Sequence, residues 1–239
     1  MTMNQNIPAE VTKVTDLTSA PPVITIDGPT ASGKGTVAQR VACALGYHYL
    51  DSGALYRLAG LAATQRGVSL DHAADVADIA RSLDICFDGD RVFLDGVDVT
   101  ETIRSEGASQ NASKVAAIPA VRAALTDRQR AFSRPPGLVA DGRDMGSVIF
   151  PQADLKIFLT ASPEARAERR TKQLKQKGIS AIIADVVKEL HIRDERDTNR
   201  PVAPLKKEDD AYFLDTTEIS ADDAVQQVLK WFDKSHSCG

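Results

Sequence analysis

Cysteine is scarce in this chain: Cys43, Cys86 and Cys238 are the only three, with no Cys-x-x-Cys or metal-ligand spacing among them. An odd and sparse set excludes a disulfide-built scaffold and a thiolate zinc site, and it fits a reducing compartment. A buried thiol is the expectation for Cys43 and Cys86. Long apolar runs are missing as well. None approaches the roughly 18 residues that suggest a membrane span, and the first twenty residues hold no apolar core of a signal peptide. Cytoplasmic residence is therefore expected, with no membrane partner. Net positive charge is absent too: the formal value is −4, which argues against a partner that is a nucleic-acid polymer, since phosphate contacts along a strand demand a basic surface.

What is present is the composition of an ordinary globular protein, 43% apolar and 26% charged over 239 residues. That length suits one domain or a domain with insertions. Charge is unevenly placed. Of the 17 arginines, 11 lie between Arg122 and Arg200, so an acidic chain concentrates its guanidinium groups as a compact polyanionic ligand requires.

Residues 1–20 are polar and without period, end before Pro21-Pro22, and read as a flexible tail. Residues 21–239 then read as a single domain. Residues 23–27 have the character of a buried strand, a glycine-rich turn follows, and Val37, Val41 and Leu45 recur at helical spacing up to Gly46. Four further short apolar runs, at 47–50, 137–140, 155–159 and 211–214, alternate with helical patterns. Such alternation predicts an α/β fold with a five-stranded parallel sheet flanked by crossover helices. Residues 84–87 and 91–94 flank Asp88-Gly89-Asp90, which predicts a small antiparallel β insert. Helices are predicted from Pro119 to about residue 132, from Pro163, and over 221–234 with Val225, Val228, Leu229 and Phe232 on one face. Ile182, Ile183, Val186, Val187 and Leu190 form a further stripe, expected to be core.

Gly28-Pro29-Thr30-Ala31-Ser32-Gly33-Lys34-Gly35-Thr36 carries the strongest signal. A strand before it and an amphipathic helix after it are the context of a P-loop, whose backbone N–H groups wrap phosphate oxygens while Lys34 adds a point charge. ATP is the expected donor. Gly35 stands where a Ser or Thr normally binds magnesium, and Thr36 follows one residue later. Thr36 is thus a weak candidate ligand, direct or through water. The Gly-Lys-Gly-Thr form resembles the nucleoside-monophosphate kinases, in which Mg2+ is held largely through phosphate oxygens and water. Regulatory GTPases are disfavoured, because no Asn-Lys-x-Asp motif is found.

Asp51-Ser52-Gly53-Ala54-Leu55-Tyr56-Arg57 follows the second predicted strand, at the carboxyl end where open α/β sheets bind ligands. Ser52 and Arg57 could dock a second phosphate there, or could be a helix cap and a surface arginine. Taken with the P-loop, this segment, Asp141-Gly142-Arg143-Asp144-Met145-Gly146 and the run 193–204 resemble the bacterial cytidylate kinases, and the insert at 83–99 fits the same family. The resemblance spans residues 23–204. It implies phosphoryl transfer from Mg-ATP to CMP and dCMP by a monomer. It implies that Ser113, Arg122 and Asp144 read the cytosine edge, that Arg57 and Arg143 hold the acceptor phosphate, and that Arg193 and Asp197 lie near its sugar, with Arg200 on the same helical face. Alone, Ser113 would read as a turn or helix-start residue, and Arg122 as a solvated helix face. Within this frame the core covers 21–50, 133–165 and 200–239, the acceptor region about 51–132 and a lid about 166–199.

Arg166, Arg169 and Arg170 cluster on the helix that begins near Pro163, ahead of a stretch rich in lysine and glutamine. A short mobile lid over the phosphates is expected. Arg170 and Arg196 are the preferred arms onto the transferring group, Lys34 its third catalytic cation, while Arg166 reads as solvated. No covalent nucleophile is needed, since a phosphate monoester is already largely a dianion at neutral pH. The remaining difficulty is electrostatic, and arginines meet it. Two rivals stay open: a P-loop kinase for UMP, AMP or a metabolite hydroxyl, for which Asp144 or Asp27 would be the base, and a nucleotide-binding regulatory module.

Overall fold

The computed structural model describes residues 20–89, 91–176 and 178–236. The expected tail, apart from residue 20, lies outside the described residues, as do Asp90 and Cys238.

Strand β1 (Val23–Asp27) is buried throughout, and the sheet is built outward from it. Its neighbours are β6 (Leu138–Gly142) and β7 (Leu155–Thr160), with β2 (His48–Asp51) beyond β6 and β8 (Tyr212–Asp215) beyond β7. All four pairings are parallel, and in-register pairs include Asp27 with Gly142 and Asp51 with Asp141. The carboxyl ends of β1, β2 and β6 therefore finish side by side, and the motif residues follow them. The predicted five-stranded parallel sheet is present, each strand within two residues of its apolar run.

Parallel strands need crossover helices on both faces, and the period of two sorts the side chains. Ile24, Ile26, Val139 and Ile157 face α1 (Lys34–Leu45) and α9 (Ala221–His236), with Val37, Val41, Val225, Val228 and Phe232 closing that core. Val23, Leu138 and Ala140 face the other way, toward α2 (Ser52–Gln65), α3 (Ala73–Arg81) and α6 (Pro119–Arg130). The insert forms as predicted from β3 (Ile85–Asp88) and β4 (Arg91–Leu94), and β5 (Val97–Asp98) adds a third antiparallel strand. After it come α4 (Thr100–Ile103) and α5 (Glu106–Val115), the latter capped by Ser105, which accepts from the Ala108 N–H at 3.2 Å.

Helices α7 (Pro163–Gln176) and α8 (Ile183–Asn199) form a hairpin with its own small cluster of Ala167, Leu174, Val186 and Leu190. Two expectations fail here and on the surface. Ile182, Ile183 and Val187 are exposed rather than core, because a two-helix hairpin buries only the narrow stripe between its members. Cys43 and Cys86 are also exposed. Cys43 sits on the outer side of α1, and Cys86 on a strand whose residues are mostly open to solvent.

How the chain leaves β1 is set by sterics. A Cβ on Gly28 would stand 1.9 Å from the carbonyl oxygen of Leu159 on β7, a backbone atom that cannot step aside. Gly28→Ala is expected to destabilise the fold by about 3 kcal/mol, the upper range for overpacking, in urea unfolding. Gly107→Ala, at an exposed position of α5 with nothing within 4 Å, is expected to stabilise by about 0.5 kcal/mol.

Candidate active site

The turn after β1 holds two left-handed residues, Ala31 at φ 58° and Gly33 at φ 94°. Gly33 caps α1 with no side-chain hydrogen bond, and the first turn carries no acid. The amino end of a 12-residue helix thus keeps its N–H groups and its positive dipole for an anion. Lys34 Nζ donates to the Pro29 carbonyl at 3.2 Å. Burial, with the charge of Arg143 beside it, lowers the Lys34 pKa from its ordinary value, so an arriving polyphosphate restores charge that the cleft disfavours.

Gly35 has a reason to lack the usual hydroxyl. A Cβ there would meet Asp141 Oδ2 at 3.2 Å and the Tyr49 hydroxyl at 3.6 Å. The carboxylate from the end of β6 fills the space that a longer side chain would take. Burial and the neighbouring Asp51 push the Asp141 pKa upward, as two acids at paired strand ends must. Asp51, Asp141 and Thr36 line one cleft with Lys34. Two carboxylates and a hydroxyl are hard oxygen donors, enough for Mg2+, which binds few protein ligands and relies on phosphates and water. The donor set fits that ion. Among the described residues no group of three or more His, Cys, Asp or Glu could hold a metal without such help.

The acceptor side is a network of paired charges. Asp51 caps α2 through the Ala54 N–H at 3.0 Å and accepts from Arg57 at 2.5 Å. The Ser52 hydroxyl donates to the Asp141 carbonyl at 2.7 Å. Arg143 reaches three parts at once: Nε to Asp197 at 2.7 Å, Nη1 to the Gly142 carbonyl at 3.2 Å and Nη2 to the Thr30 hydroxyl at 3.1 Å. Asp197, held beside that cation, has its carboxyl below the usual range although burial opposes the shift. Asp144 is buried and takes Arg122 on one oxygen and Arg200 on the other, the latter at 3.2 Å. Arg122 also lies over the Tyr56 ring, 5.7 Å from its centroid. It is no solvated helix arginine, and the run from Arg193 to Arg200 is no solvated face, since Asp197 and Arg200 are buried.

Across the cleft, Arg193 donates to Ser109 and Arg196 to Ser113, both at 2.8 Å. Arg170 pairs with Glu106. Arg166 corrects an expectation: it is buried, with Nη1 on Asp194 at 2.6 Å and on the Thr30 carbonyl at 3.2 Å. It braces the P-loop against α8 from below, a role set by where α7 crosses the loop. Arg169 donates to the Ser32 carbonyl and to the Thr216 hydroxyl, each at 3.0 Å. Buried donors without a protein partner include Arg57 Nε and Arg193 Nε, on two arginines that line the cleft, and the Ser32 hydroxyl behind the loop.

The structure brings Lys34, Ser52, Arg57, Ser113, Arg143, Asp144, Arg170, Arg193, Asp197 and Arg200 to one cleft with Thr30, Ala31, Gly33, Gly35 and Thr36. Gly28, Pro29 and Ser32 shape the loop from behind, Arg122 braces Asp144 and Arg196 is held at Ser113. Sequence reasoning passed over Asp51, Asp141 and Tyr49. The acids fall at the ends of two predicted strands, a signal that was available; Tyr49 gave none.

A strand, a glycine-rich turn and a helix facing an arginine-lined acceptor cleft at the carboxyl ends of a parallel sheet define a P-loop phosphotransferase. The cytidylate kinase family model matches residues 24–234. Cytidylate kinases of Chromobacterium violaceum, at 56% identity over 91% of this chain and 98% of their own, and of Cupriavidus pinatubonensis, at 58% over 88% and 95%, are among its relatives. The chain belongs to the cytidylate kinase family.

Asp27 ties the two motifs together. Its oxygens accept the N–H groups of Met145 and Gly146, both at 2.8 Å, at the start of a π-helical turn over Met145–Ile149. Burial, aided by Asp144, pushes its pKa up to about 6 against those hydrogen bonds and Lys34. Because the folded value exceeds the ordinary 3.8, the folded state takes up a proton. The contribution of this group is complete below about 3.8 and is lost as pH rises through about 6. The Asp27 carboxyl carbon is expected to titrate near 6 by NMR, and Asp27→Asn should remove that step and flatten the stability profile across the same interval.

Proposed function

We propose that the chain transfers the γ-phosphoryl group of ATP to CMP and dCMP, giving CDP and dCDP. Membership of the family supports the reaction. The observation that carries the choice of base is Asp144, a buried carboxylate fixed by two arginines. A carboxylate accepts from the exocyclic amine of cytosine and repels the carbonyl that uracil presents there. Ser113 and Arg122 complete the base-reading set in this proposal. Arg57, Arg143 and Ser52 take the acceptor phosphate, while Arg193, Asp197 and Arg200 border the sugar and base.

Transfer is in line. The acceptor dianion needs no general base, and the chain's task is to hold two polyanions together and spread charge on the equatorial oxygens. Lys34 and the N–H groups of residues 28–36 hold the donor phosphates. Arg170 and Arg196 come onto the moving group as the α7–α8 hairpin closes and excludes water, which would otherwise take the phosphoryl. Asp51, Asp141 and Thr36 would hold Mg2+, which offsets charge on the donor phosphates when bound. The chain acts as a monomer in the cytoplasm, with residues 51–132 as acceptor region and 166–199 as lid. Among the described residues no helix is long and apolar enough to cross a membrane.

A hydroxyl acceptor is disfavoured by the same geometry. Asp144 is neutralised by Arg122 and Arg200, and Asp27 is turned onto backbone N–H groups, so neither stands ready as a base. Purified protein with ATP and a panel of CMP, dCMP, UMP, AMP and shikimate is expected to favour the first two. Turnover greatest on any other acceptor would overturn the reading. Lys34→Ala should lose about 10³-fold in kcat with its melting temperature kept; retained transfer would contradict its role. Asp144→Asn, which adds a donor where only acceptors stood, should cut the preference for CMP over UMP by about tenfold or more.

A further inference from the structure

Helix α5 turns one face toward the lid. Glu106, Ser109 and Ser113 recur at i, i+3 and i+7. Their partners are Arg170 on α7 and Arg193 and Arg196 on α8. The acceptor region and the lid are therefore laced together by side chains across the mouth of the cleft, with no apolar packing needed between α5 and α7. The three laces differ in kind. Two end on hydroxyls, neutral acceptors that release an arginine readily. The third ends on a carboxylate, which carries the same charge as the phosphates that the cleft is built to receive.

Arg170 lines the cleft with Lys34 and Arg143. The field of Glu106 also reaches Arg193, where it favours the charged guanidinium. The Glu106 and Arg170 side chains keep 28% and 22% of their surface in water, so the pair is of the moderate strength that a competing anion can break. No other acid of α5 exists: the helix reads Glu-Gly-Ala-Ser-Gln-Asn-Ala-Ser-Lys-Val.

We propose that Glu106 is a positioning residue, a latch that holds Arg170 and with it α7 against the acceptor region, and that ATP binds by exchanging this carboxylate for its own phosphate oxygens. The proposal rests on the reading of Arg170 as an arm onto the transferring group. Any fraction of molecules with Arg170 on Glu106 is a fraction not yet able to grip the phosphate, and apparent ATP affinity falls by that fraction. The latch keeps the arginine ordered and near its target, at the expense of donor affinity.

The test is Glu106→Gln, which keeps size and removes charge. Calorimetric binding of the unreactive β,γ-imido analogue of ATP is expected to tighten about two- to fivefold, with kcat within about twofold and the melting temperature unchanged. Combined with Arg170→Gln, the same change should leave analogue binding unaltered, since the latch then has nothing to hold. Glu101→Gln, an exposed acid of α4, controls for loss of a negative charge and should not tighten binding. Unchanged or weaker analogue binding in Glu106→Gln overturns the proposal, as does equal tightening in the Arg170→Gln background or in Glu101→Gln. A fall in kcat without tighter binding also overturns it, making Glu106 an orienter of the arm. If Arg170→Gln alone leaves kcat intact, the catalytic reading of Arg170 fails while the binding comparison still decides the latch.

Discussion

The guanidinium of Arg143 joins three parts of the molecule that the chain brings in from far apart: Thr30 in the phosphate loop, the end of β6, and Asp197 on α8. A planar fork with several donors can do this where a lysine cannot. The rest of the site depends on that junction. It places a fixed positive charge beside Lys34 and ties the phosphate loop to α8. Because Asp197 neutralises it until an anion arrives, the cleft tolerates the concentration of arginines that phosphoryl transfer demands.

The same logic runs through the neighbouring groups. Asp144 faces Arg122 and Arg200, Asp51 faces Arg57, Asp194 faces Arg166 and Glu106 faces Arg170. Buried pairs add little net stability against apolar replacements, so their value lies in holding cations in place before the ligand comes. They divide by burial. Asp144 is buried at the cleft wall and paired with two arginines, which suits the fixed base reader proposed for it. Glu106 and Arg170 keep about a quarter of their surface in water, which suits the exchangeable contact proposed for them.

Much of this was legible in the residues. The five strands announced themselves as short apolar runs, the phosphate loop by glycines and lysine between a strand and a helix, and the insert by a turn signal between strand-like runs. These are local patterns, set by backbone sterics and by the period of each element. Helix α5 was not legible: its Gly-Ala-Ser-Gln-Asn-Ala-Ser segment has small polar residues and a weak apolar stripe, and its place is given by packing against α2. The burial of Arg166 and the exposure of Ile182, Ile183 and Val187 were equally hidden, because each depends on what lies across from the helix.

By itself the sequence determined the order of elements, the donor loop and the family, since all three are written in contiguous residues whose spacing has its own physical meaning. Only the tertiary structure decided which acid meets which arginine. Gly35 at the start of α1 meets Asp141 of β6, Asp27 holds the turn at Met145, and Glu106 takes Arg170 across the cleft, the last two pairings spanning 118 and 64 residues. Charge pairing acts over a few ångströms and carries no record in the chain of which partner will be near. That choice belongs to the fold.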